Sequence, residues 1–117
     1  MNRREKGRLG EKKAEEYLVA TGYEVLARNY RTRRGEVDLI ARKGQRIAFV
    51  EVKSWDALPQ ESLGEAIGPL KRRRIREVAA SYLRASAQAG RPAFDVILLQ
   101  GGRIVHLQDA FSGVDSW

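Results

Sequence analysis

The sequence predicts an α/β protein of seven elements in the order αβββαββ, a mixed sheet flanked by helices, and three observations carry that prediction. Two segments, one near the N-terminus and one from Pro69, repeat apolar residues at helical spacing. Five others are short, rich in β-branched, aromatic or leucine-type residues, and bounded by turn formers. The second helical segment separates the third and fourth strands, where a crossover lets a parallel pair join the antiparallel ones.

Taken in order, the first helix is expected from about Glu5 to Thr21, with Leu9, Ala14, Tyr17 and Leu18 on its apolar side and Gly22 as its C-terminal stop. Three strands follow at Tyr23–Tyr30, Glu36–Arg42 and Arg46–Lys53, separated by Arg31–Gly35 and by the turn Lys43-Gly44-Gln45. Trp55 to Gly68 reads as a loop or short helical turn. Pro69 suits the first position of a helix because its missing amide would have no partner there. That helix is expected to run to about Ala89, ended by Gly90, with Ile75, Val78, Ala79, Tyr82 and Leu83 facing the sheet. Phe94–Gln100 and Ile104–Gln108 are the last strands, joined at Gly101-Gly102. No repeat, low-complexity tract or linker interrupts the 117 residues, so one domain over residues 1–117 is expected.

Composition narrows the chemistry. The chain has no cysteine and a single histidine, His106, which excludes thiolate metal sites, cysteine nucleophiles and two-histidine zinc sites within one chain. What remains is carboxylate and lysine chemistry, with an oxygen-liganded cation such as Mg²⁺. Twenty-two Lys and Arg against 15 Asp and Glu give a net charge of +7, which points to a polyanionic partner, nucleic acid foremost. No apolar stretch is long enough to span a membrane, and no basic helix carries the Trp or Phe face suited to a lipid surface. The N-terminus has no apolar core of a secretion signal, so the cytoplasm is the expected compartment.

Strand alternation gathers the candidate site. In Glu36-Val37-Asp38-Leu39 the carboxylates share one face while Val37 and Leu39 share the other, and Glu51 and Lys53 share a face with Phe49. The short turn makes these strands neighbours, so Asp38, Glu51 and Lys53 can converge. Two acidic oxygens can hold a hard divalent cation, and a lysine beside them can orient a water for in-line attack on a phosphodiester. The same residues could equally form a surface salt bridge across a hairpin. Glu11-Lys12-Lys13 has the same acidic-x-Lys order, but on a helix residues two apart do not face each other.

Asp38 followed by Glu51-Val52-Lys53 resembles the PD-(D/E)xK signature of restriction endonucleases and Holliday junction resolvases, with Val37 in place of the proline. Five ordered motifs are similar to the YraN family of bacterial nuclease-like proteins. They are Lys6-Gly7-Arg8-Leu9-Gly10-Glu11 with Ala14 and Tyr17-Leu18, Arg28-Asn29-Tyr30-Arg31, Gly35 to Ala41, Phe49 to Lys53, and Phe94-Asp95-Val96. The resemblance implies a restriction endonuclease-like core and Mg²⁺- or Mn²⁺-dependent cleavage of branched or processed DNA. It makes Asp38 and Glu51 metal ligands, Lys53 the residue that positions the water, and Glu11 an acid assisting at the metal. It also implies a homodimer, since the resolvases act as twofold dimers. A binding module that keeps the fold and basic surface without cutting, in DNA repair, uptake or RNA processing, is the alternative.

The remaining conspicuous residues are basic or aromatic. Lys71, Arg72, Arg73 and Arg74 occupy the first turns of the second helix, where the macrodipole disfavours cations, which favours a phosphate-docking role over a merely solvated face. Arg31, Arg33 and Arg34 precede the Asp38 strand and either grip a nucleic-acid backbone or simply decorate a loop, and their position beside the proposed chemistry favours the first. Trp55 is either a stacking platform for a base or a packing residue. Tyr17, Tyr82 and Phe94 are assigned to the core and His106 to a partly buried structural role. Asp95 either reaches the site face or supports the fold by a hydrogen bond.

Overall fold

The computed structural model describes residues 3–54 and 67–113, with residues 3–6 described by their backbone only. Its elements are α1 (Arg3–Ala20), β1 (Glu24–Thr32), β2 (Gly35–Lys43), β3 (Arg46–Ser54), α2 (Pro69–Ser86), β4 (Arg91–Gln100) and β5 (Arg103–Phe111). This is the αβββαββ order of a restriction endonuclease-like core. The loop expected after Lys53 lies outside the described residues from Trp55 to residue 66. Among the described residues no helix is long and apolar enough to cross a membrane.

The strands lie in the order β1-β2-β3-β4-β5, with β3 and β4 parallel and the other neighbours antiparallel. Each face of the sheet is covered by one helix. Ala14 and Leu18 of α1 pack on Leu39, Ala41, Ala48, Val50 and Ile97. Ile75, Val78, Ala79 and Tyr82 of α2 pack on Val37, Ile40, Phe49, Phe94 and Val96. Phe49 lies at the centre of the second cluster, stacked on Phe94 with ring centroids 5.8 Å apart and met edge-on by Tyr82.

The ends of the helices follow from local backbone chemistry. At the end of α1 the Tyr23 amide donates to the Leu18 carbonyl and the Gly22 amide to that of Val19, with Gly22 at φ 100°. That is a Schellman closure, and Tyr23 and Leu18 share a core cluster as such a closure favours. α2 ends at Ser86 and not near Ala89, because Ala87 takes the left-handed conformation at φ 56° and closes the helix early. Gly90, expected as the helix stop, has another duty. A side chain on it would approach the Gln45 carbonyl oxygen within 2.8 Å, and the next amide, Arg91, donates to that same oxygen. Its bare backbone thus lets the start of β4 dock against the β2–β3 turn. Leu9, expected on the buried side of α1, is exposed.

The alternation of β2 breaks at Asp38. Val37 and Leu39, expected on a common face, fall in opposite core clusters. The cause is a divergence of strands. The β2–β3 ladder runs from Lys43↔Arg46 to Leu39↔Val50, while β3 continues beside β4 as far as Ser54↔Leu99 and β2 continues beside β1 to Thr32↔Gly35. The Val52 amide, left without a ladder partner on β2, donates to Asp38 Oδ2 at 2.8 Å. On the β1 side Asn29, paired with nothing in the ladder, sits at φ 49°. The sheet is therefore split at the point where its acidic residues lie.

Candidate active site

The cleft opened by this split holds about 370 Å³ and is lined by Gly35, Glu36, Asp38, Glu51, Leu70, Lys71, Arg74 and Ile75. Glu51 projects from β3 on the α2 side of the sheet and is only 3% exposed. Lys71, in the first turn of α2, places Nζ 3.1 Å from Glu51 Oε2. Lys53, two residues along β3 from Glu51, is half-buried and lies beside Lys71. The charges of Asp38, Glu51, Lys53 and Lys71 act on one another.

Burial and like charge dominate this set. Loss of solvent, followed by repulsion from Asp38, pushes the Glu51 carboxyl up to about 7, against the pull of Lys71 and Lys53. Asp38 is also raised by burial, although the Val52 amide and Lys71 favour its charged form. Burial and the neighbouring Lys71 lower Lys53. For Lys71 burial acts the same way but is outweighed, mainly by Glu51, so its ammonium form is favoured. For both carboxyls the loss of solvent thus outweighs the pull of the two lysines beside them.

Glu11 lies elsewhere. It lines a groove on the α1 side with Arg8, Lys12, Glu15, Arg28, Asn29 and Leu39. It is half-buried and its carboxyl is raised by burial and then by the charges of Asp38 and Glu36. It therefore feels the site's field without lining the cleft.

The basic residues divide by role. Arg31, Arg33, Arg34 and Arg74 surround a second depression of about 430 Å³ that shares Gly35, Glu36 and Arg74 with the acidic cleft. Arg31 and Arg34 make long ion pairs with Glu36 (3.4 Å) and Glu77 (3.6 Å) that remain largely open to solvent. Arg72 instead donates from Nε to the Ile67 carbonyl at 2.7 Å, tying the start of α2, and Arg73 is exposed. Of this run Lys71 and Arg74 line the acidic cleft, and Lys71 is the one that pairs with Glu51. Its sequence position carried the signal, because it lies one helical turn before Ile75 and so extends the sheet-facing stripe.

Asp95 supports the fold. It is fully buried, takes a bidentate pair from Arg46 at 2.6 and 2.8 Å, and accepts the Asp109 amide at 3.0 Å. His106 Nε2 lies 2.7 Å from its Oδ2, while Nδ1 of the same ring meets the Tyr17 hydroxyl at 3.0 Å. The His106 side chain is 5% exposed. This network joins β3, β4, β5 and α1 away from the acidic cleft.

A model of the family described as "Uncharacterised protein family UPF0102" matches residues 10–99. The chain belongs to that family. The five motifs of the YraN resemblance indicate the same family. The UPF0102 protein of Caldicellulosiruptor saccharolyticus is 45% identical over 98 residues, covering 83% of each chain. That of Rhodococcus opacus is 42% identical over 111 residues, covering 90% of this chain and 94% of its own. That of Moorella thermoacetica is 37% identical over 116 residues, or 98% of this chain and 93% of its own. The UPF0102 match takes in Glu11, Asp38, Glu51, Lys53, the Lys71–Arg74 run and Asp95, so the cleft lies within the family's own span.

Proposed function

We propose that this UPF0102 chain is a metal-dependent endonuclease that hydrolyses phosphodiesters in branched or otherwise processed DNA, with Mg²⁺ or Mn²⁺ held by Asp38 and Glu51. The observation that carries the reading is the pairing of buried Glu51 with half-buried Asp38 in a cleft opened by strand divergence, both carboxyls raised chiefly by loss of solvent. The donors fit a hard cation, being carboxylate oxygens. Among the described residues no third His, Cys, Asp or Glu completes a cage. Two carboxylates with water and phosphate oxygens in the other positions is how Mg²⁺ is commonly bound at phosphoryl-transfer sites.

When bound, the cation would supply Lewis-acid polarisation of the phosphodiester and a more acidic water. The chain's own residues supply the rest. The Val52 amide fixes Asp38 through Oδ2, which leaves Oδ1 for the cation. Lys53, its ammonium form weakened by burial, holds and orients the attacking water. Arg31, Arg33, Arg34 and Arg74 grip phosphates flanking the cleft, joined by Arg73 and by Arg72 where it reaches solvent. Glu11 acts through its charge on Asp38. A homodimer would present two such clefts to a twofold junction.

The Lys71–Glu51 ion pair favours a second reading, in which the site is charge-compensated without metal and the chain binds nucleic acid without cutting. Cleavage assays on junction, flap, single-stranded and duplex DNA with Mg²⁺ and Mn²⁺ separate the two. The nuclease reading expects cutting of at least one substrate by the parent and none by Glu51→Gln. Undiminished cutting by Glu51→Gln rejects the assigned site. Metal-independent binding by a parent that cuts none of these substrates selects the binding module.

A further inference from the structure

We infer that Lys71 is the internal counter-ion of the acidic cleft, holding Glu51 in the metal-free protein and competing with the divalent cation for that carboxylate. The inference rests on the metal-site reading above and adds to it a residue that controls when the metal can bind. The geometry is a direct ion pair, Lys71 Nζ to Glu51 Oε2 at 3.1 Å. Its two ends differ in freedom: the Glu51 side chain is 4% exposed and the Lys71 side chain 44% exposed. The carboxylate is held in place on β3, whereas the ammonium ends a flexible four-carbon stem with water on one side. Of the two partners, Lys71 is the one that can leave.

A second feature makes the pairing a competition rather than a coexistence. Lys53 already stands beside Lys71, so two cations share the neighbourhood of two carboxylates. A divalent ion on Asp38 and Glu51 would raise the local positive charge well above the negative charge available, and one ammonium must withdraw. Lys53 is more enclosed and is carried by a strand paired with β4. Lys71 lines the open cleft with Leu70 and Arg74, on the side continuous with the arginine depression. Withdrawal in that direction turns its ammonium towards the surface where phosphates would lie, so metal loading and phosphate capture become linked through one side chain.

The test is Mn²⁺ affinity by calorimetry for the parent, Lys71→Met, Lys71→Arg and Arg84→Ala. The last removes an equal charge from the far end of the same helix. Lys71→Met should bind Mn²⁺ about fivefold more tightly or better, the fold-change of one unit-charge pair near 4 Å in a water-like dielectric. Lys71→Arg, which keeps the charge, should stay nearer the parent, and Arg84→Ala should match it. In the parent itself, lysine side-chain NMR should show the Lys71 ammonium signal change as Mg²⁺ is added, a reading that needs no substitution. Unchanged or weaker Mn²⁺ affinity in Lys71→Met, or a Lys71 signal indifferent to saturating Mg²⁺, overturns the inference while leaving the metal site standing. Failure of the parent and every variant to bind Mn²⁺ overturns both.

Discussion

Removing the three arginines at the β1–β2 end of the hairpin together, Arg31 from the end of β1 and Arg33 and Arg34 from the turn, as Arg31→Ala, Arg33→Ala and Arg34→Ala, should reduce the salt dependence of DNA binding without disturbing the fold. Their side chains stand around the depression beside the cleft, and the ion pairs of Arg31 and Arg34 are long and solvent-exposed. Such pairs contribute about 0–1 kcal/mol each, so the melting temperature should move little. Each phosphate neutralised on duplex DNA adds about 0.9 to the slope of log affinity against log salt, so three contacts are worth a slope of about 2.7. Between about 50 and 200 mM salt the parent should lose roughly fortyfold more affinity than the triple variant. Fluorescence anisotropy with duplex and junction DNA across that range measures both slopes, with circular dichroism confirming that the variant is folded. Equal slopes, or a parent whose binding ignores salt, would refute the placement of phosphates at this turn.

Three further predictions concern the scaffold. Asp95→Asn leaves the 13%-exposed Arg46 without its buried anionic partner and should cost about 3–5 kcal/mol in chemical denaturation. Although burial opposes it, hydrogen bonds from His106 and Arg46 hold Asp95 below its ordinary 3.8. Its stabilisation is therefore complete above pH 3.8 and lost as pH falls through the depressed folded value, so the difference in stability between parent and Asp95→Asn should shrink in acid. Gly90→Ala forces a methyl against the Gln45 carbonyl and should destabilise by about 1–3 kcal/mol, seen as a lower melting temperature. Ala87→Gly relieves a left-handed alanine at the end of α2 and should stabilise by about 1 kcal/mol in the same assay.

Much of the fold was legible because its signals are local. Pro69, Gly22 and the Lys43-Gly44-Gln45 turn each act through their own backbone, and α2 shows its buried face in Ile75, Val78, Ala79 and Tyr82. The early end of α2 was not legible, since alanine rarely takes the conformation that Ala87 adopts, and a glycine three residues later drew the boundary to itself. Gly90 answers to a carbonyl on the β2–β3 turn, a contact that no local pattern encodes.

The candidate site divides in the same way. Glu51 and Lys53 share a face by simple alternation along β3. Asp38 reaches β3 by a different route, because β2 leaves β3 after Leu39 and the Asp38 carboxylate takes over the Val52 amide. Divergence of this kind depends on how the sheet twists between two helices, and alternation alone put Val37 and Leu39 on one face. Lys71 was legible as a cation at the unfavourable end of a helix, but its partner depends on how α2 is rotated over the sheet. The sequence allows Asp95 two roles, and the positions of Arg46 and His106 decide for the supporting one.

The central claim, that Asp38 and Glu51 jointly hold a divalent cation, is tested most directly by crystals grown with Mn²⁺ and examined for anomalous scattering. The predicted result is one strong peak within coordination distance of a carboxylate oxygen of each residue, with the Lys71 ammonium withdrawn from Glu51. A cleft with no peak at saturating Mn²⁺ and Lys71 still paired to Glu51 would contradict it.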